Sequence, residues 1–166
     1  MGELWLQVLP SNRRERAVLE NDFQFKTLAE MTRYYEHRLR IDPRDARAHC
    51  RLGFAKSSLG KRAEAVAHFQ RAIELDPKDD EPHLHLGMIW LSQQRYEAAR
   101  SEFGIALRLN PNNYLAHGNL GLLHMSQGHL PAAETHLRAA LQLNPNDLTA
   151  QENLRRVLNA VGNSRR

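Results

Sequence analysis

Residues 80–113 read DEPHLHLGMIWLSQQRYEAARSEFGIALRLNPNN, and the same pattern is written on either side of them. Leu86-Gly87 has counterparts at one fixed interval in each direction, Leu52-Gly53 and Leu120-Gly121. At the same interval Ala99 goes with Ala65 and Ala133, Ala106 with Ala72 and Ala140, and Pro111 with Pro77 and Pro145. Pro43 stands one period earlier. Self-similarity at a fixed period of this length marks a chain built by stacking one helical unit on the next. Three full units run 46–79, 80–113 and 114–147.

Each unit reads as a helical hairpin. Asp45, Asp79, Asn113 and Asp147 precede the first helices, where a short polar side chain accepts hydrogen bonds from otherwise orphaned N–H groups. Pro82 and Pro131 sit just inside helix starts, where a missing N–H costs nothing. Gly60 and Gly128 fill the bend between the two helices, and Gln94 takes that place in the middle unit. Gly53, Gly87 and Gly121, with the two alanine columns, let helices approach closely while Phe69, Phe103 and Leu137 fill the space beside them.

These residues resemble the tetratricopeptide repeat: leucine and glycine at the seventh and eighth places, small residues at the twentieth and twenty-seventh, proline at the thirty-second. The histidine at the fourth place of each unit (His49, His83, His117) is similar to the repeats of O-linked GlcNAc transferase-type arrays. The resemblance implies an all-α, right-handed α-solenoid of stacked helix-turn-helix hairpins with capping helices. It says little about function, because the matching residues build the scaffold rather than a site.

The flanks complete the array. Residues 1–45 are expected to form an N-terminal segment and a degenerate, repeat-like cap. Thr27-Leu28-Ala29-Glu30 is a capping-box pattern opening a helix to about Ile41. Arg38 falls where later units carry alanine, and would crowd a close crossing. Residues 148–166 continue the frame for one helix, with Leu154, Val157, Leu158 and Val161 inward, and then a frayed tail.

Composition narrows the function classes. The chain has 166 residues, one cysteine and a formal net charge of +4. The excess positive charge sits in residues 46–79 and 148–166, with a slightly acidic middle, so no continuous basic track exists for phosphates and nucleic acid is not an expected partner. No apolar run reaches the roughly 18 residues a membrane helix needs, and membrane insertion is not expected. The opening residues lack the basic flank of a signal peptide, and a single cysteine suits a reducing, cytoplasmic setting.

Catalysis is not expected. Metal ligation on one helix wants histidines three or four residues apart, and none of the nine has that spacing. His83 and His85, two apart, point to different faces. Cys50 has no evident base beside it, there is no glycine-rich phosphate loop, and no cofactor or metal is implied.

What remains is the groove. By the resemblance, the first helices line a concave surface through six places of each unit. Here these supply Arg51 and Phe54, then Leu84, His85, Met88 and Leu91, then Leu115, Asn119, Leu122 and Met125, with Asn153 in the last helix. Cys50 falls on the same surface. This is more apolar area than a solvated face requires, and such patches mark binding sites. Asn119 and Asn153 match part of the asparagine ladder of the sugar transferase repeats. Cys50, Phe54, His85 and Leu115 stand where the clamp for chaperone C-termini has polar or basic residues, which argues against that mode.

The expected function is a non-enzymatic protein–protein interaction scaffold binding a peptide or amphipathic helix in the concave groove. The alternatives are a substrate-recruiting or regulatory part of a larger enzyme, a small secretion-type chaperone, or a self-assembling homo-oligomer. Residues 1–10, with Trp5, could themselves cover the groove.

Overall fold

A computed structural model describes residues 27–163. Its helices are α1 (Leu28–Ile41), α2 (Ala46–Ser58), α3 (Arg62–Leu75), α4 (Glu81–Ser92), α5 (Tyr96–Leu109), α6 (Tyr114–Ser126), α7 (Leu130–Leu143) and α8 (Leu148–Asn163). No strand occurs among the described residues. The Trp5 segment and the first part of the cap expected over 1–45 lie outside them.

Three caps work as the sequence suggests. The side chains of Asp45, Asn113 and Asp147 accept from the N–H groups of Ala48 (2.9 Å), Ala116 (2.9 Å) and Ala150 (3.1 Å). Thr27 does the same for Glu30 at 3.2 Å. The middle unit departs from the pattern. Pro82 stands where the other units have these alanines, so Asp79 finds no N–H there and instead accepts from Glu81 at 3.0 Å. The helix begins one residue later, after Asp80, whose carboxylate is held by Asn110 and Asn113 of the same unit's closing turn.

The bends need a left-handed backbone. Gly60 and Gly128 adopt φ of 76° and 75°, and Gln94 is forced to φ 58° at the same place. A side chain in that region costs about 1–2 kcal/mol, so the middle hairpin carries strain that its neighbours avoid.

Packing follows the repeat. Ala65, Phe69 and Ala72 of α3 are buried, as are Ala99, Phe103 and Ala106 of α5 and Ala133, Leu137 and Ala140 of α7. The ring of Phe103 lies directly on Gly87, so that a methyl group there would come within 2.5 Å of it. The first helices α2, α4, α6 and α8 touch one another in succession, whereas α3, α5 and α7 do not. The array therefore has an inner layer of first helices, and its second helices are splayed outside.

The ends differ from expectation in two details. Arg38 does not crowd the crossing; it pairs with the capping Asp45. In α8 Val157 and Ala150 are buried in one cluster with Leu137, but Leu158 is 42% exposed, so it lies outside the inward set.

Candidate binding groove

The inner layer carries one apolar column in strict register. Phe54 (39% exposed), Met88 (44%) and half-buried Leu122 hold the same place in successive units, on α2, α4 and α6. Leu115, 43% exposed, lies two helical turns back along α6. Large apolar side chains left in water at equivalent places of successive helices form a continuous strip, not a scatter of surface leucines. Leu91 and Met125 are half-buried and pack onto the cores beneath, thickening the floor.

Three expected groove residues are not available. Leu84 is 3% exposed and belongs to the core around Phe103 and Ala116. That core joins α4 and α5 to Ala116, Leu120 and Leu123 of α6, so the side chain fills the seam between the two units. Asn153 is 8% exposed in α8, and Cys50 is 1% exposed among Phe69, Leu86 and Ile89. The groove positions expected from the resemblance thus split into strip-forming and seam-filling places. Sequence alone did not separate them, because both lie on the same side of the same helix.

Polar groups on this face are largely committed. Asn119 donates one amide N–H to the carbonyl of Leu115 at 2.8 Å, leaving its second N–H and its carbonyl oxygen for a ligand. Arg51 pairs with Glu81 across units at 3.3 Å. His85 is half-buried between Phe69, stacked at 5.2 Å, and Phe54, at 5.4 Å. Burial, reinforced by the Arg51 charge, pushes its pKa down to about 4, so at neutral pH it is an aromatic wall rather than a cation.

Cys50 lies buried beside two carboxylates. The ligand atoms of Cys50, Asp79 and Glu81 lie within 4.8 Å of one another. Burial and then the Glu81 charge hold the thiol far above its ordinary pKa. A nucleophile or a soft ligand needs the thiolate, and here the S–H points at Glu81 at 3.8 Å.

The histidines are arranged as sequence spacing does not suggest. His49 meets His68 with Nδ1 atoms 3.0 Å apart, and His117 meets His136 at 3.2 Å. In the middle hairpin His83 meets Glu102 at 2.7 Å. Every pair joins the fourth place of a unit to its twenty-third, across from one helix of the hairpin to the other. Histidine spacing along one helix does not reveal them; comparing those two places in each unit does.

The chain's family models agree with this architecture: descriptions of a tetratricopeptide repeat match residues 46–79 and 91–147. No curated protein matches the chain in sequence. Among solved structures it resembles MamA, at TM-score 0.69 and 20% identity over 92% of this chain and 86% of that one. It also resembles the first repeat domain of Spaghetti (RPAP3) bound to the HSP90 peptide SRMEEVD, at TM-score 0.67 and 21% identity over 73% of this chain and 96% of that one. A third is the Arabidopsis OM64 domain, at TM-score 0.63 and 20% identity over 68% and 93%. No helix among the described residues is long and apolar enough to cross a membrane.

Proposed function

Because the chain belongs to the tetratricopeptide repeat family, we propose that it is a non-enzymatic interaction scaffold whose inner groove holds a peptide or amphipathic helix of a partner protein. The observation that carries this reading is the column Phe54, Met88 and Leu122, flanked by Leu115, which leaves apolar area in water where the fold does not need it. Its ligand is apolar. The peptide held by the RPAP3 domain is rich in acidic residues, and this groove offers such a tail little: Arg51 is engaged by Glu81, and His85 is neutral.

An amphipathic helix presents apolar residues every three or four places, a spacing suited to a strip crossing three successive first helices. Hydrophobic burial supplies most of its affinity, at about 25 cal/mol per Å² before the costs of association. Asn119 contributes its carbonyl oxygen and its second amide N–H. Affinity is therefore only weakly dependent on salt.

Selection of displayed peptides on the full chain tests the reading. The expected winners carry apolar residues at helical spacing, and Met88→Asp with Leu115→Asp abolishes their capture. Both positions stand well out of the core, at 44% and 43% exposure, so the helical signal survives. Winners dominated by acidic termini, or binding unchanged in the double variant, would place the ligand elsewhere. Leu84→Asp is unsuitable as a probe, since it breaks the core between α4 and α6.

A further inference from the structure

The strip of Phe54, Met88 and Leu122 suits an apolar occupant, and the chain carries one of its own. Residues 1–10, outside the described residues, read MGELWLQVLP. Leu4, Trp5, Leu6, Val8 and Leu9 are large and apolar, and Glu3 is the one charged side chain. On a helical winding Leu4, Trp5, Val8 and Leu9 fall on one face, at intervals of three and four. A span this short gains too little from its own hydrogen bonds to hold a helix in water. Its apolar side chains are therefore covered only against another surface.

The chemistry of the strip selects this segment over its neighbour. With Arg51 paired to Glu81 and His85 neutral, the groove offers charged side chains little, and an almost uncharged segment loses nothing by entering it. Residues 11–26, by contrast, carry seven charged side chains in sixteen positions and suit a solvated tether.

The tether starts at the right place and is long enough. Helix α1 runs antiparallel to α2, since Arg38 pairs with Asp45 and Glu36 with Lys56 at 2.8 Å. Thr27 therefore stands at the end where α2 finishes, and Phe54 lies one turn short of that end at Ser58. Phe54 is thus the first strip residue within reach. From α2 to α6 the strip crosses two interhelical steps of about 8–10 Å each. The tether spans about 55 Å when extended and about 24 Å if wound as a helix.

We infer that residues 1–10 seat in the groove of their own chain, along Phe54, Met88 and Leu122, and that a partner binds by displacing them. The inference rests on the reading of that strip as the binding surface. A tether of this length holds the segment at about millimolar effective concentration, far above the concentration of a second copy at micromolar chain. A segment that binds with a Kd of only about 0.1 mM in trans is then seated in roughly nine chains of ten, which weakens any competitor about ten-fold. The segment acts as a threshold: a foreign helix has to bury more apolar area than these ten residues do.

Methyl spectra of the full chain, labelled with ¹³C at methionine, test the docking. The parent should show Overhauser contacts between the Trp5 indole and the Met88 methyl, unchanged from about 10 µM to about 500 µM chain, as for an intramolecular contact. Trp5→Asp with Leu9→Asp should move the Met88 methyl and leave that of Met31, which packs in the core between α1 and α2, in place. A synthetic peptide of residues 1–10 should bind this double variant about ten-fold more tightly than it binds the parent. The inference is overturned if the Trp5–Met88 contacts are absent, or if they grow with chain concentration, which would seat the segment in a second copy. It is equally overturned if the peptide binds parent and variant alike or binds neither. Display-selected helical peptides that bind both forms equally, and lose binding in Met88→Asp with Leu115→Asp, would sink the self-docking and leave the groove standing. If those peptides bind neither form, the groove itself fails. The parent spectra decide the matter even where a variant fails to fold.

Discussion

Two glycines in first helices separate the effects of backbone and packing, and substituting each with alanine gives opposite results. Gly87→Ala places a methyl carbon 2.5, 2.6 and 3.0 Å from Cε1, Cδ1 and Cζ of Phe103. Carbon atoms rest at about 3.5–4.0 Å, so the ring has to retreat by roughly 1 Å. It cannot do so freely: Phe103 has no exposed surface and shares its cluster with Ala99, Ala106, Ala116 and Leu123. Overpacking of this kind costs about 1–3 kcal/mol, and a clash this close falls in the upper part of that range. Alanine returns about 1 kcal/mol through its better helix propensity, leaving a net loss of about 1–2 kcal/mol. Gly118→Ala adds its methyl where nothing lies within 4 Å, so only the propensity gain remains, about 0.5–1 kcal/mol of stabilisation. The two variants should thus differ by about 1.5–3 kcal/mol, in opposite directions from the parent. Urea denaturation followed by far-ultraviolet circular dichroism measures both. Should Gly87→Ala prove as stable as the parent, or should the two shift the midpoint the same way, the close helix crossing would not be what holds the hairpin together.

Two further outcomes follow from the site and the bends. His85 has a folded pKa of about 4 against an ordinary 6.5, so its neutral form is the one the fold accommodates. Its contribution is complete above pH 6.5 and is lost as pH falls from there to about 4, amounting to about 3 kcal/mol. The lowered pKa values of His68, His124 and His136 act in the same direction. Urea titrations across that window should show a smaller loss in His85→Gln, and an identical loss would mean His85 does not carry it. Gln94→Gly relieves the φ of 58° and should stabilise by about 0.5–1 kcal/mol after the entropy of glycine in the unfolded chain is allowed for. A lower denaturation midpoint in this variant would refute the strain.

The sequence by itself determined the repeat, its period and its fold class, because these rest on local rules. A Leu-Gly pair, two alanines and a closing proline in every unit dictate how one hairpin stacks on the next, whatever else the chain does. Three of four caps were equally legible, since a cap needs only the N–H groups of its own first turn. The fourth was hidden by a proline at Pro82 that withdraws the donor. Only the tertiary structure decided which groove residues are reachable. Leu84 and Met88 differ by a single helical turn, yet packing in the core with Ala116 and Leu120 of α6 buries one at 3% exposure and leaves the other at 44%. Pattern cannot resolve that, because which side chain meets the next unit is set by contacts between units. The histidine pairs were invisible for the same reason: the interval between a unit's fourth and twenty-third places has no meaning along an extended chain. It acquires one when the hairpin folds back and sets the first of those places against the second.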